Sequence, residues 1–189
     1  MIRIGILGDI GSGKSYVAKS FGYPVFIADN EVAKLYKKNR KIFIKLNKAL
    51  PKYITQFPIN KQEVTKTILA DKNNLKKIIK IIHPEIRKKM NIFLKKNKKS
   101  KLIVLDIPLL LENKINRKKD ILIFVESKKV EIIKRLKKRK NFDYKILNKF
   151  RKIQLSLDYK KKKSKFIIKN NFTNRFIKKQ IKYILKQIY

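Results

Sequence analysis

Ile4-Gly5-Ile6-Leu7-Gly8-Asp9-Ile10-Gly11-Ser12-Gly13-Lys14-Ser15 opens the chain with a short apolar run, a glycine-rich loop and a Gly-Lys-Ser ending, and a helical pattern follows. This is a P-loop in the strand-to-helix context that gives the motif its meaning. Gly11 and Gly13 let the backbone wrap an anion closely, because no Cβ opposes positive φ. Successive N–H groups then line one concavity that suits phosphate oxygens, and the helix starting near Lys14 adds its positive end. Lys14 is expected to reach the β- and γ-phosphates, and the Ser15 hydroxyl to ligate Mg²⁺. The nucleotide-contacting set predicted from the loop is Gly11, Ser12, Gly13, Lys14, Ser15 and Tyr16.

Outward from the loop, apolar runs recur at Val25–Ala28, Leu102–Leu105, Ile121–Val125 and Phe166–Ile168. With residues 2–7 they make five short buried strands, separated by helical patterns, which indicates a parallel α/β sheet. The strands end at the P-loop, Asp29, Asp106, Glu126 and near Asn170. Ligands of such sheets bind at the carboxyl ends of the strands. A first helix is expected from Lys14 to about Phe21, stopped by Gly22 and Pro24. Residues 31–100 read as an all-helical insertion. One stretch runs from Glu31 to about Leu50 and another from Gln62 to Ile82. A further helix is expected to start at Pro84, after a break at His83. Residues 128–163 are helical and very basic, with a break at Asn141–Asp143, and Asn174–Ile188 forms a closing amphipathic helix.

The 189 residues suit one domain with inserted lobes. No run of about 18 apolar residues is present, so no transmembrane helix is expected. The first residues read as a strand rather than a signal peptide, and the protein is expected in the cytoplasm. The absence of cysteine excludes disulfides, thiolate metal sites and cysteine nucleophiles. A net charge of +39 suggests nucleic acid or an anionic membrane as partner. Only eight of the 52 basic residues are Arg, Ile and Asn are also abundant, and the lysines run along the whole chain. Lys, Ile and Asn share A/T-rich codons, so compositional drift accounts for the charge.

A phosphoryl-transfer enzyme must orient its acceptor hydroxyl, hold Mg²⁺ and stabilise the moving phosphoryl group. Asp29 is placed to accept a hydrogen bond from an acceptor hydroxyl as base, or to cap the helix that follows. Asp106, after four apolar residues, is placed as the strand-end acid that holds Ser15 or a Mg²⁺-bound water; its alternative is a carboxylate satisfied by backbone N–H groups. Arg139 lies where a lid would sit and can clamp phosphates with its planar guanidinium, or be solvated surface. Arg135, one turn earlier, is a second candidate. His83, the single histidine, either contacts substrate phosphate or caps a helix.

These pieces together resemble the dephospho-CoA kinase family. The carriers are the opening Gly5–Ser15, Ala28-Asp29-Asn30-Glu31, Ile82-His83-Pro84, Leu105-Asp106-Ile107-Pro108-Leu109-Leu110-Leu111-Glu112, the pair Arg135 and Arg139, and the spacing of Gln154, Lys160 and Asn170. The resemblance runs from Met1 to about Asn171. It implies a three-layer P-loop NTPase fold of the nucleoside-monophosphate-kinase type. One domain, 1–189, would carry a five-stranded parallel sheet, a helical substrate lobe at 31–100 and a lid at 127–155. It implies ATP with Mg²⁺ as donor, held at Ser15 and Asp106, and the small molecule dephospho-CoA as acceptor. It also implies Asp29 near the ribose 3′-hydroxyl, Lys14 and Arg139 as charge stabilisers, and the acceptor bound around His83 and Arg87. Apart from the resemblance, no specific nucleic-acid or membrane partner is expected, and a monomer is favoured although the sequence does not give the oligomeric state.

The chain departs from the family pattern at several positions. Asp9 replaces a glycine, and a carboxylate beside phosphates is unfavourable unless it points outward. Tyr16 replaces a small hydroxyl residue. Arg151 stands three residues before Gln154, where an Arg is expected at four. Ser164-Lys165 replaces Ala-Asp and Lys169 replaces Asp, near the expected adenine-contacting loop. The other readings are a nucleoside or nucleotide kinase on the same fold, a basic nucleic-acid-binding P-loop protein, and a folded, ATP-binding but inactive relative.

Overall fold

Five strands form one parallel sheet in the order β2-β3-β1-β4-β5 in the computed structural model, which describes residues 1–139 and 142–189. They are β1 (Ile2–Gly8), β2 (Val25–Ile27), β3 (Leu102–Asp106), β4 (Ile121–Glu126) and β5 (Phe166–Lys169). All four pairings are parallel, with Gly5 opposite Leu105 on one side of β1 and opposite Leu122 on the other. Ile4, Ile6, Leu102, Val104 and Ile123 are fully enclosed. Strands buried on both faces read as continuous aliphatic runs, which explains why alternation is weak here.

By their internal contacts the residues fall into two compact units. The first comprises Met1–Ile27, Asn97–Asp143 and Arg151–Tyr189. It holds the sheet with α1 (Lys14–Ser20), α6 (Lys129–Lys137), α8 (Leu157–Lys163) and α9 (Asn174–Ile188). Ile177, Ile181 and Ile184 of α9 join Val17 and Ala18 of α1 in the core of this unit. Their spacing puts one apolar stripe on the sheet side of the closing helix. At the edge of the core, Arg3 and Asp120 pair at 3.0 Å, both side chains nearly sealed from water.

The second unit comprises Ala28–Lys96 and Tyr144–Phe150. Its helices are α2 (Ala28–Lys38), α3 (Arg40–Ala49), α4 (Lys61–Ala70) and α5 (Lys72–Lys96), with most of α7 (Tyr144–Lys152). The stretch expected as one helix from Glu31 to Leu50 is two. Asn39 leaves helical geometry and its side chain accepts the Ile42 N–H at 3.1 Å, starting α3 afresh. A short polar side chain competes with the helix ladder in this way. Asp71 interrupts the next region, separating α4 from α5. Lys149 donates to the carbonyls of Ile68 and Leu69 at the end of α4, where a cation complements the helix dipole.

The break expected at His83-Pro84 is absent. Pro84 lies exposed inside the continuous helix α5. An internal proline costs about 3 kcal/mol through a lost hydrogen bond and a clash. Leu75, Ile78, Ile82, Ile86, Met90 and Leu94 form one buried stripe on both sides of it. Each such side chain contributes roughly 1.5–3 kcal/mol on burial, which outweighs the local cost. The basic stretch 128–163 carries three helices, α6, α7 and α8. The break expected at Asn141–Asp143 begins outside the described residues; Phe142 and Asp143 are non-helical.

Candidate active site

The loop after the central strand β1 carries the phosphate-binding geometry. Gly11 and Gly13 have φ of 87° and 86°, and Gly13 is the left-handed N-cap of α1. A Cβ at Gly13 would lie 2.3 Å from Asn170 Nδ2, so glycine is required twice over, by dihedral and by space. The loop is pinned from outside. The Ser12 carbonyl accepts from Asn170 Nδ2 at 2.8 Å and from Ser127 Oγ at 3.0 Å. The Ser12 hydroxyl is buried without a hydrogen-bond partner among the described residues.

Lys14 curls over the loop and donates to the Asp9 carbonyl at 2.7 Å and the Gly8 carbonyl at 3.2 Å. Because β3 lies beside β1, its last residue, Asp106, comes next to the start of α1. The Ser15 hydroxyl donates to Asp106 Oδ2, and Asp106 is 4% exposed. A hydroxyl and a carboxylate are hard oxygen donors, and Mg²⁺ typically takes one or two such groups plus phosphates and water. These two residues therefore fit Mg²⁺. Among the described residues no cluster of three or more His, Cys, Asp or Glu side chains forms a metal cage. Tyr16 points into solvent.

Asp9 does not turn outward as its charge would suggest. It is 7% exposed. Its carboxylate accepts from Arg151 Nη2 at 2.6 Å and Nε at 3.3 Å, and from the Ile10 N–H at 2.7 Å. Two of the departures from the family pattern, Asp9 and Arg151, thus meet in one ion pair.

Arg139 follows the end of α6 and is exposed. Arg135, on α6, stacks its guanidinium 4.2 Å from the centre of the Phe172 ring. Phe172 sits at φ 63° in the loop after β5, where Asn170 Oδ1 accepts its N–H at 2.7 Å. Asp29 is not at a strand tip. β2 ends at Ile27, and Asp29 lies exposed in the first turn of α2. His83 is half-buried and Arg87 exposed, one turn apart on α5. The first unit gathers Gly11, Ser12, Gly13, Lys14, Ser15 and Asp106, and also contains Arg139; Asp29, His83 and Arg87 belong to the second.

Sequence reasoning gave no role to Ser127 or Phe172, which lie outside the motifs. It noted Glu112, Gln154 and Lys160 by resemblance alone. In the structure they form one buried cluster, with Lys160 Nζ 2.8 Å from Glu112 Oε1 and 2.9 Å from Gln154 Oε1. The signal available in the sequence was Glu112 after Leu109-Leu110-Leu111 and the spacing of Gln154 and Lys160; nothing local sets Lys160 apart from Lys161, Lys162 and Lys163.

A glycine-rich loop at the carboxyl end of the central strand, with its Lys-Ser pair beside the acid of the neighbouring strand, defines a P-loop nucleotide-binding protein of the kinase type. The comparisons agree. The model of the dephospho-CoA kinase family matches residues 2–175. Dephospho-CoA kinase of Wolbachia pipientis wMel is 35% identical over 98% of this chain and 97% of its own. Among solved structures, TT1252 from Thermus thermophilus superposes with a TM-score of 0.75 at 23% identity, covering 100% of this chain and 98% of its own. The dephospho-CoA kinase from Campylobacter jejuni gives 0.63 at 21% identity, over 98% of this chain and 96% of its own. The chain belongs to the dephospho-CoA kinase family. Among the described residues no helix is long and apolar enough to cross a membrane.

Proposed function

We infer that this protein transfers the γ-phosphoryl group of ATP to the ribose 3′-hydroxyl of dephospho-CoA, giving CoA and ADP, the last step of coenzyme A biosynthesis. The observation that carries the reading is the built P-loop, with Ser15 on Asp106, in a chain that matches this family from residue 2 to residue 175. The helical lobe at 31–100 is the acceptor-binding part and the segment 127–155 the lid. The enzyme works in the cytoplasm on small-molecule substrates.

In this mechanism the loop N–H groups from Gly11 to Ser15 bind the β- and γ-phosphates and leave the γ-phosphorus open to attack. Lys14 exchanges its loop carbonyls for phosphate oxygens, so its charge meets the negative charge that develops on the transferring group. Ser15 and Asp106 would hold Mg²⁺, which would neutralise charge on the phosphates. Asp29 accepts the proton of the 3′-hydroxyl as that oxygen bonds to the γ-phosphorus and the bond to the β,γ-bridging oxygen breaks. Arg139 adds a second cation to the departing charge, and His83 with Arg87 hold the acceptor.

The test is ADP release from ATP and Mg²⁺ with dephospho-CoA, beside AMP, CMP and adenosine as rival acceptors. Release with dephospho-CoA alone, and CoA as product, is the expected result. Release with a nucleoside or nucleotide instead would overturn it in favour of a nucleotide kinase. Binding of ATP with no release on any acceptor would point to an inactive relative.

A further inference from the structure

We propose that Arg151 is a positioning residue for ATP: its ion pair with Asp9 cancels a negative charge built into the phosphate-binding loop, and so sets the loop's affinity for the triphosphate. The proposal rests on the ATP-dependent kinase reading above.

Asp9 is tied into the loop at every polar atom of its side chain. Oδ1 takes the Ile10 N–H and Arg151 Nε, and Oδ2 takes Arg151 Nη2. Its carbonyl accepts from Ser12 N–H at 3.2 Å and from Lys14 Nζ at 2.7 Å. The Asp9 side chain is 9% exposed. A carboxylate fixed there cannot rotate into water when a polyphosphate occupies the same loop. Unpaired, it would repel the ligand in a medium of low effective dielectric. The guanidinium fork of Arg151 meets it with two donors, the geometry that pairs a carboxylate most strongly.

Arg151 is itself held in place. The turn after it closes through the Gln154 N–H on the Arg151 carbonyl at 3.1 Å. The Gln154 side chain accepts from Lys160 Nζ, Lys160 pairs with Glu112, and the Leu155 N–H donates to Glu112 at 3.0 Å. The buried cluster therefore fixes the turn from which Arg151 reaches Asp9. The added carboxylate and the displaced arginine act as one device: the first puts a charge into the loop and the second removes its effect.

The experiment compares Arg151→Gln, Asp9→Asn and the double variant with wild type. ATP affinity is measured by calorimetry with Mg²⁺, and KM for ATP and kcat by turnover. Arg151→Gln is expected to weaken ATP binding and raise KM for ATP by about tenfold or more, with kcat changed less than about threefold, because the loss is electrostatic and falls on binding. Asp9→Asn added to Arg151→Gln is expected to restore affinity to within about threefold of wild type, since removing the carboxylate removes the need for the cation. Unchanged affinity in Arg151→Gln, or a double variant as weak as the single, would overturn the proposal; the second result would mean that Arg151 meets the nucleotide directly. If Arg151→Gln does not fold, the double variant, a neutral pair of similar shape, carries the same decision. The calorimetry needs no acceptor. A wild type that binds ATP but leaves dephospho-CoA unmodified would overturn the kinase reading while the pair is still tested.

Discussion

The Lys160 ammonium lies 2.8 Å from Glu112 Oε1 with 1% of the lysine side chain exposed. Glu112 closes the Pro108–Glu112 segment after β3 and Lys160 sits in α8, so the pair joins two segments of the first unit far apart in sequence. Gln154 Oε1 accepts from the Lys160 ammonium and the Leu155 N–H donates to the same Glu112 Oε1, while Glu112 Oε2 is buried with no hydrogen-bond partner among the described residues. Removing one partner of a buried pair leaves the other charged and unmatched, at a cost of about 3–5 kcal/mol. Lys160→Met is therefore expected to lower Tm by roughly 6–20 °C for a chain of this size. Lys160→Met with Glu112→Gln should recover part of the loss. Thermal unfolding followed by circular dichroism checks both, and a single-variant shift below about 2 °C would show that water reaches the pair.

Lys14 donates to the loop carbonyls of Gly8 and Asp9. Lys14→Ala is expected to lower kcat by about 10²–10³, as loss of a charge-stabilising donor does, with little change in Tm. Steady-state turnover beside a melting curve decides it, and near-normal kcat would remove Lys14 from the mechanism.

Asp29 stands exposed in the first turn of α2, where a carboxylate also complements the helix dipole. The two roles separate by measurement. Asp29→Asn keeps the shape and should lower kcat by about 10²–10⁴ if the acid takes the acceptor proton. Calorimetric affinity for ATP should stay within about threefold of wild type, since the proton transfer belongs to the acceptor side. An unchanged kcat would reduce Asp29 to a helix-terminal charge.

Asp106 accepts the Ser15 hydroxyl at the end of β3. If the two share Mg²⁺, Asp106→Asn should raise the Mg²⁺ concentration for half-maximal rate by about 10–100-fold, the usual effect of losing an orienting carboxylate. Titration of Mg²⁺ at saturating ATP reads it directly. The same half-point in the variant would take Asp106 out of the metal site.

Chain-local features of this protein were legible without coordinates. The five strands, the P-loop, α1 and the closing helix Asn174–Ile188 follow from short-range rules: aliphatic runs, glycine at positive φ, and an apolar repeat of three and four residues. The strand-end position of Asp106 was legible for the same reason. At Pro84 burial overrode a local signal, and at Asn39 a local cap overrode the apolar repeat. Pro84 reads as a helix start, yet the stripe from Leu75 to Leu94 carries α5 through it. Asn39, read as part of a continuous helix, caps a new one. Only tertiary structure decided what each charge in the site faces. Asp9 and Arg151 are 142 residues apart, and Ser12 and Asn170 are 158 apart. No periodicity links such positions, because their meeting depends on which strands lie side by side and in what register. The sequence alone determined the sheet, the phosphate loop and the resemblance to a kinase family. The pairing of Asp9 with Arg151, the Lys160–Glu112–Gln154 cluster and the stacking of Arg135 on Phe172 were settled only once the strand order brought the ends of β1, β3, β4 and β5 to one edge.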